Sequence, residues 1–356
     1  MALPRRTVRL VDIAKEAEVS VSVVSSVLNG GRGNTRVAKD TADRILAIAE
    51  RRNYRPSPTA QQLRGKRSNV FGLLVASAGD PLRSYLVEHL DEEAVRHGCQ
   101  TLIGNTVVAP GRFEGCLDEF IARGVDGIFC AVHSVFPGDR AALLARCPNT
   151  VFYEDPGLPD ATFVTVDQVA AGRVPAEHLL ATGRRRLGFA IVDPAAPAHQ
   201  ERLRGVRAAL AGRGVDADAL AVYEGTPGCS GPTRPDPRTM LWQTPDDVLD
   251  EVIDRLVVGH RADAIVAHDD FLASALLRRL RARGLRVPRD VAVTGYLNHY
   301  LCDHVDPPLT SVDLRHQAAA RAMVEAVQQM IAAGPPETRV RRPISISPML
   351  AVRESA

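Results

Sequence analysis

The chain has 356 residues, enough for two or three domains with a sizeable buried core. Hydrophobic residues make up 45% and charged residues 24%, which excludes wholesale disorder, and no run of about 18 apolar residues is present to span a membrane. The net charge of +2 hides an asymmetry: residues 1–68 hold 14 Lys+Arg against 6 Asp+Glu, and the remainder holds 30 against 36. A basic head on an acidic body implies that the small part meets a polyanion and the larger part need not.

Met1 to Thr7 is basic but leads into Leu10-Val-Asp-Ile without the apolar stretch of a secretion signal. The six cysteines (Cys99, Cys116, Cys130, Cys147, Cys229, Cys302) are scattered and form no C-x-x-C pair. Both features point to a reducing, cytoplasmic setting.

In chain order, Leu10 to Ala17 predicts a short helix with Leu10, Ile13, Ala14 and Ala17 on one face. Glu18-Val19 makes a tight turn, and Ser20 is a suitable N-cap for a second helix, Val21 to Leu28. Val24, Val27 and Leu28 pack inward in that reading, leaving Val21, Ser22, Ser25 and Ser26 outward. Asn29-Gly30-Gly31 stops the helix, and a third, about Lys39 to Arg52, buries Ile45, Leu46 and Ala49. Such a set is either a generic three-helix domain or a helix-turn-helix, whose second helix can enter the major groove of DNA. The segment after Tyr54 favours the helix-turn-helix. Ser57-Pro58 starts a helix over Thr59 to Arg64 that is too short to stand alone, and Arg64, Lys66 and Arg67 beside it favour phosphates.

From Asn69 onward apolar runs alternate with amphipathic stretches. Val70–Ala76 precedes Leu82–His97; Thr101–Gly104 precedes 111–124; Asp126–Val132 precedes 138–146. Thr150–Tyr153 and Phe163–Val166 precede 168–182, and Arg186–Val192 precedes 198–213. Leu220–Tyr223 precedes 246–258, Ala264–Ala267 precedes 271–284, and Val291–Gly295 closes the series. This βα iteration predicts an α/β body of two doubly wound parallel-sheet subdomains with a cleft between them. Ligands of such folds sit beyond the carboxyl ends of the strands. Gly225 to Pro245, rich in Pro and Gly, reads as a long loop. Its Trp242, the sole tryptophan, either stacks on a ligand ring or anchors the loop.

The chain resembles the lactose/galactose repressor (LacI/GalR) family over essentially its whole length. In the head the matching residues are Val11-Asp-Ile-Ala-Lys-Glu-Ala, Val19-Ser20, Val24-Ser25, Val27-Leu28-Asn29, Tyr54-Arg-Pro, Ala60 and Leu63-Arg64. In the body they are Val166-Asp167, His178-Leu-Leu with Gly183, Arg202-x-x-Gly205, Asp270-x-x-Ala273, Val287-Pro288, Gly295-Tyr296 and Leu309-Thr-Ser-Val312. The resemblance implies a helix-turn-helix head (1–56), a hinge helix and linker (57–68) and a periplasmic-binding-protein-like body (69–356). It implies a first subdomain of about 69–167 plus 296–325 and a second of about 168–295 plus 326–356.

By the same resemblance the chain is a repressor, binding operator DNA as a homodimer and answering to a small molecule, a sugar or sugar derivative. It ends at Ala356 without the leucine-repeat tail of the family's tetramers, hence the dimer. The implied DNA contacts are Ser20, Val21, Ser22, Ser25, Ser26, Asn29, Tyr54, Ala60, Leu63 and Arg64, with Leu63 either a wedge between base pairs or a packing leucine. Ser26 replaces a usual arginine and is too short to grip a guanine bidentately. Glu18 replaces a turn glycine, at a cost of roughly 1 kcal/mol if the site needs positive φ.

The implied effector contacts are Arg202, which would fork two hydroxyls, and Asp270, which would accept from them; Asp269, Asp80, Glu154 and Trp242 complete the set. Leu297 stands where an aspartate is frequent. No cofactor or metal is called for. There is no G-x-S-x-G elbow, Gly30-Gly-Arg-Gly33 follows a helix rather than a strand, and His299, Cys302 and His304 crowd one loop. Two other readings remain, a ligand-independent DNA-binding regulator controlled by a protein partner and a soluble sugar receptor; the helix pair of the head argues against the latter.

Overall fold

The computed structural model describes residues 8–28, 37–54, 67–76, 81–106, 111–132, 137–191, 197–225, 244–334 and 342–356. The chain divides into two compact units, Met1–Ser68 and Asn69–Ala356.

In the head, α1 (Leu10–Glu16), α2 (Val21–Leu28) and α3 (Lys39–Arg51) enclose a small core of Ile13, Ala14, Ala17, Val24, Ile45, Ile48 and Ala49. Helix α1 starts where the Arg9 amide donates to Asp12 at 2.8 Å. Between α1 and α2 the backbone turns through Glu18 at φ 52°, the left-handed conformation that favours glycine. Glu16 pairs with both Arg51 and Arg52, and the Arg44 guanidinium donates to the Ala17 carbonyl at 2.9 Å, so α3 braces the α1 end of the turn. Helix α3 closes in a Schellman motif. Asn53 adopts φ 54°, its amide donates to Glu50, and the Tyr54 amide donates to Ala49 at 2.8 Å.

The body holds two six-stranded sheets. The first has the order β11-β5-β4-β3-β1-β2, from β1 (Val70–Val75), β2 (Gln100–Asn105), β3 (Gly127–Ala131), β4 (Thr150–Tyr153), β5 (Thr162–Val166) and β11 (Arg342–Ile346). The second has the order β12-β10-β9-β8-β6-β7, from β6 (Leu187–Ile191), β7 (Leu220–Glu224), β8 (Ala264–Ala267), β9 (Ala292–Tyr296), β10 (Thr310–Asp313) and β12 (Met349–Ala351). All pairings are parallel except β10 with β12.

Because side chains alternate along a strand, one run supplies two cores. Phe71, Leu73 and Val75 face α4 (Pro81–Arg96) and α11 (His316–Ala333), while Leu74 joins Cys116, Leu117 and Phe120 of α5 (Arg112–Ala122) and Leu143 of α6 (Pro137–Arg146). In the second sheet, Ala264 and Val266 pack with α7 (Gln168–Ala181) and α8 (Pro197–Gly212). Ile265 and Ala267 face α9 (Asp246–Ile253, with a π turn to Gly259) and α10 (Asp270–Ala282). Cys99, Cys116, Cys130 and Cys302 are buried free thiols, as small apolar side chains would be.

The subdomain boundaries differ from those read in the sequence. Strand β10, expected in the first subdomain, pairs with β9 in the second, since Ser311 and Val312 continue the ladder of Gly295 and Tyr296. Helix α11 and strand β11 lie entirely with the first subdomain: Met323, Val324 and Val327 are buried beneath it, and Arg342–Ile346 runs parallel to β5. Only after Ile346 does the chain return to the second, where β12 pairs with β10. The crossings therefore fall near residues 167, 314 and 347, where one sheet ends and the other begins.

Candidate functional site

On the head, Ser20 caps α2. Its hydroxyl accepts from the Val23 amide at 3.4 Å and lies 2.8 Å from the Ser22 hydroxyl. Val21 and Ser22 are exposed on the first turn of α2, where a helix entering a groove presents its reading residues. Ser25 and Ser26 are not fully outward: both are half-buried, and the Ser26 hydroxyl is enclosed with no hydrogen-bond partner among the described residues. Packing against α1 and α3 turns Val23 and Val27 partly into the core and rotates Ser26 with them. Tyr54 is half-buried against the same core. Asn29, Ala60, Leu63 and Arg64 lie outside the described residues, as do Asp80 and Trp242 of the proposed effector set.

In the body, Arg202 is carried on α8, which crosses α7 at close range. A Cβ at Gly172 would stand 1.8 Å from the Arg202 carbonyl oxygen, and one at Gly205 would stand 1.9 Å from that of Val169. The Arg-x-x-Gly spacing thus serves the helix crossing as well as the arginine. Arg202 is only 7% exposed. Its Nε donates to Gln168 at 2.8 Å, its Nη1 donates to the His268 carbonyl at 2.9 Å, and the guanidinium lies 4.3 Å over the Tyr296 ring. Its remaining terminal nitrogen has no hydrogen-bond partner among the described residues. Burial lowers its pKa from the ordinary value, while Tyr296, Tyr153, Glu154 and Asp269 oppose that shift. Glu154 is thereby placed near Arg202, half-buried at the end of β4 with φ 80°.

Asp269 and Asp270 take different roles from those read in the sequence. Asp269 is the N-cap of α10, its carboxylate accepting from the Leu272 amide at 2.8 Å and lying 3.1 Å from His268 Nε2. Burial alone would raise its pKa; His268 and the amides of Leu272 and Phe271 overcome this and hold it low. Asp270 is fully buried, one oxygen accepting from the Ser311 hydroxyl at 2.6 Å and the other from the His299 amide at 2.8 Å. Burial pushes its pKa up to about 7. The missing side chain of Gly295 makes room for it, because a Cβ there would stand 2.2 Å from its oxygen. Asp270 therefore ties α10 to the β9–β10 connection rather than facing the cleft.

That connection lines a cavity of about 290 Å³ together with α4 and the start of α11. Its walls are Tyr85 and His89 from α4, Leu297 and Asn298 after β9, Asp313 at the end of β10, Arg315 just before α11, and His316, Gln317, Ala318 and Arg321 of α11. The Tyr300 amide donates to the Tyr85 hydroxyl at 2.8 Å, joining one subdomain to the other at the cavity rim. His316 lies with its ring centroid 6.2 Å from that of Tyr153. Apart from Leu297, sequence reasoning assigned none of these walls to the site. The available signal was Asp313 and Arg315-His316-Gln317 at and just beyond the end of Leu309-Thr-Ser-Val312, a polar cluster near a strand's carboxyl end.

Residues 9–57 match the model of the bacterial regulatory proteins of the lacI family, and residues 176–356 match the periplasmic binding protein-like domain. The chain is 28% identical over 354 residues to the HTH-type transcriptional regulator DegA of Bacillus subtilis, covering 95% of this chain and 98% of that protein. It is 24% identical to the HTH-type transcriptional repressor PurR of Mannheimia succiniciproducens, with 97% of each covered. Among solved structures, the lac repressor dimer bound to operator and the anti-inducer ONPF superposes with a TM-score of 0.77 at 21% identity, over 98% of this chain and 99% of that one. With a head of the one kind joined to a body of the other, the chain belongs to the LacI family of DNA-binding transcriptional regulators.

Proposed function

We propose that this protein is a repressor that binds operator DNA as a cytoplasmic homodimer and releases or tightens its grip when a small molecule, a sugar or sugar derivative, enters the cleft of the body. Val21 and Ser22, with Ser20 setting the start of the helix, read the major groove; Ser25, Asn29, Tyr54, Ala60, Leu63 and Arg64 complete the contact. The PurR relatives bear the name repressor, and the lac repressor neighbour is a dimer on its operator, which supports the assignment. No chemistry on the ligand is assigned.

The observation that carries the effector half is Arg202. A guanidinium this buried costs several kcal/mol of lost hydration and is retained where its donors meet something. Two of its nitrogens are fixed by the fold, so the third is held in place for a ligand oxygen without further ordering. In this reading Glu154 and Asp269 flank it, and Asp80 and Trp242 are further candidate contacts. A ligand that bridges the subdomains favours one angle between them, and only its differential affinity for the two angles, typically about 1–3 kcal/mol, reaches the DNA.

The test is fluorescence anisotropy on an operator selected from random duplexes, with and without a sugar panel. The expected result is a preferred site whose affinity changes with one class of ligand, and loss of that change in Arg202→Gln. No preference for any duplex over random competitor, with any metabolite, overturns the reading. A preferred site indifferent to every small molecule favours control by a protein partner instead.

A further inference from the structure

We propose that Val21 is the residue by which α2 tells one base from another, and that it selects thymine through the 5-methyl group. Each operator half-site then holds a thymine that uracil cannot replace. This rests on the reading of α2 as the helix that enters the major groove and specifies what it reads there. In that groove bases are told apart by long polar side chains or by apolar contact with the thymine methyl. The polar readers are arginine or lysine on guanine, asparagine or glutamine on adenine, and aspartate or glutamate on cytosine. Helix α2, Val21-Ser-Val-Val-Ser-Ser-Val-Leu28, contains none of them. Its composition leaves the apolar route.

The structure narrows that route to one side chain. Val24 is fully buried, and Val23, Val27 and Leu28 pack against the core of the head. Ser25 and Ser26 are half-buried, and the Ser26 hydroxyl is enclosed. Of the helix, only Val21 and Ser22 are exposed. The Ser22 hydroxyl lies 2.8 Å from that of Ser20, and because a hydroxyl donates and accepts alike it serves any base edge. Val21 is 42% exposed on the first turn, and its methyl groups are the apolar surface that α2 offers to the groove. The other large apolar side chains exposed among the described residues of the head are Val11 and Leu46. They stand on α1 and α3, outside the reading helix. The matching surface on DNA is equally restricted, since the thymine methyl is the one apolar group that a base edge presents in the major groove.

The experiment is fluorescence anisotropy of the full chain on its selected operator, with each thymine in turn, and symmetry-related pairs together, replaced by deoxyuridine. This removes the methyl and leaves base pairing unchanged. The same series is run on Val21→Ser, at an exposed position whose replacement leaves the core of the head intact. Low salt keeps weak binding measurable throughout. The expected result is a loss of about fourfold in affinity at one thymine of each half-site and about fifteenfold for the pair, from one buried methyl at each. Val21→Ser is expected to bind the thymine and uracil operators equally. Because the methyl lies in the major groove, contacts made in the minor groove do not enter the ratio. The proposal is overturned if no thymine shows the loss. It is overturned equally if Val21→Ser binds every duplex more weakly but keeps the parental thymine-to-uracil ratio, which would make Val21 a positioning residue. Absence of any preferred duplex defeats the regulator reading itself, whereas a preferred duplex indifferent to uracil defeats only this inference.

Discussion

Glu18 holds a left-handed conformation, φ 52°, at the turn of the helix pair, where a side chain costs about 1 kcal/mol relative to glycine. Glu18→Gly is expected to raise the local stability of the head by about that amount, read from slower amide exchange at Ile13 and Ile45 in the intact chain. Unchanged or faster exchange would show that the glutamate is compensated. The need for positive φ was legible in the sequence only as a condition; the backbone supplied it. Asp270 behaves differently. A carboxyl whose pKa is about 7 when folded and near 3.9 when unfolded binds its proton more tightly in the native state. Its contribution to stability is therefore full below about pH 4, falls as pH rises towards 7, and then levels. Asp270→Asn cannot ionise, so urea midpoints across that window are expected to decline less steeply than in the parent. Parallel curves would refute the assignment.

At the scale of elements, the crossing of α7 and α8 sets where Arg202 stands. Backbone meets backbone at Gly172 and Gly205, with no flexible side chain to yield. Gly205→Ala is expected to destabilise the body by roughly 1–3 kcal/mol, or more if the helices cannot separate, and to weaken the response to ligand by displacing the arginine. Denaturant unfolding alongside ligand titration checks both, and a variant with parental stability would mean that the crossing relaxes freely. Arg-x-x-Gly was visible as a spacing in the sequence, but its glycine acquired a reason only when a second helix came against it. The βα couplets were more legible, since a buried strand such as Val70–Val75 and an amphipathic helix such as α10 each declare themselves by local period.

For the whole molecule, the surplus of basic residues lies entirely in residues 1–68, so operator binding is expected to weaken steeply with salt. Each neutralised phosphate adds about 0.9 to the slope of log affinity against log salt, and several are expected. A flat series in gel-shift or anisotropy titrations would remove the head as the DNA contact.

What the amino-acid sequence determined alone was everything that depends on near neighbours. It set the three helices of the head, the serine cap of α2, the alternation of strands and helices, and the division of charge. What the tertiary structure decided was which surfaces meet. Strand β10, Thr310–Asp313, carries nothing in its own residues that names its sheet, and only pairing with β9 places it in the second. Helix α11 and strand β11 likewise carry no mark of the subdomain they join. Asp270 and Arg315 are both polar residues near strand ends, yet one is sealed beneath Ser311 and His299 and the other stands open on a cavity. The period of a sequence tells which face of an element is covered, because burial of that face is what sustains the pattern. It does not tell by what, because the covering surface comes from residues far along the chain, brought near only when the whole fold closes.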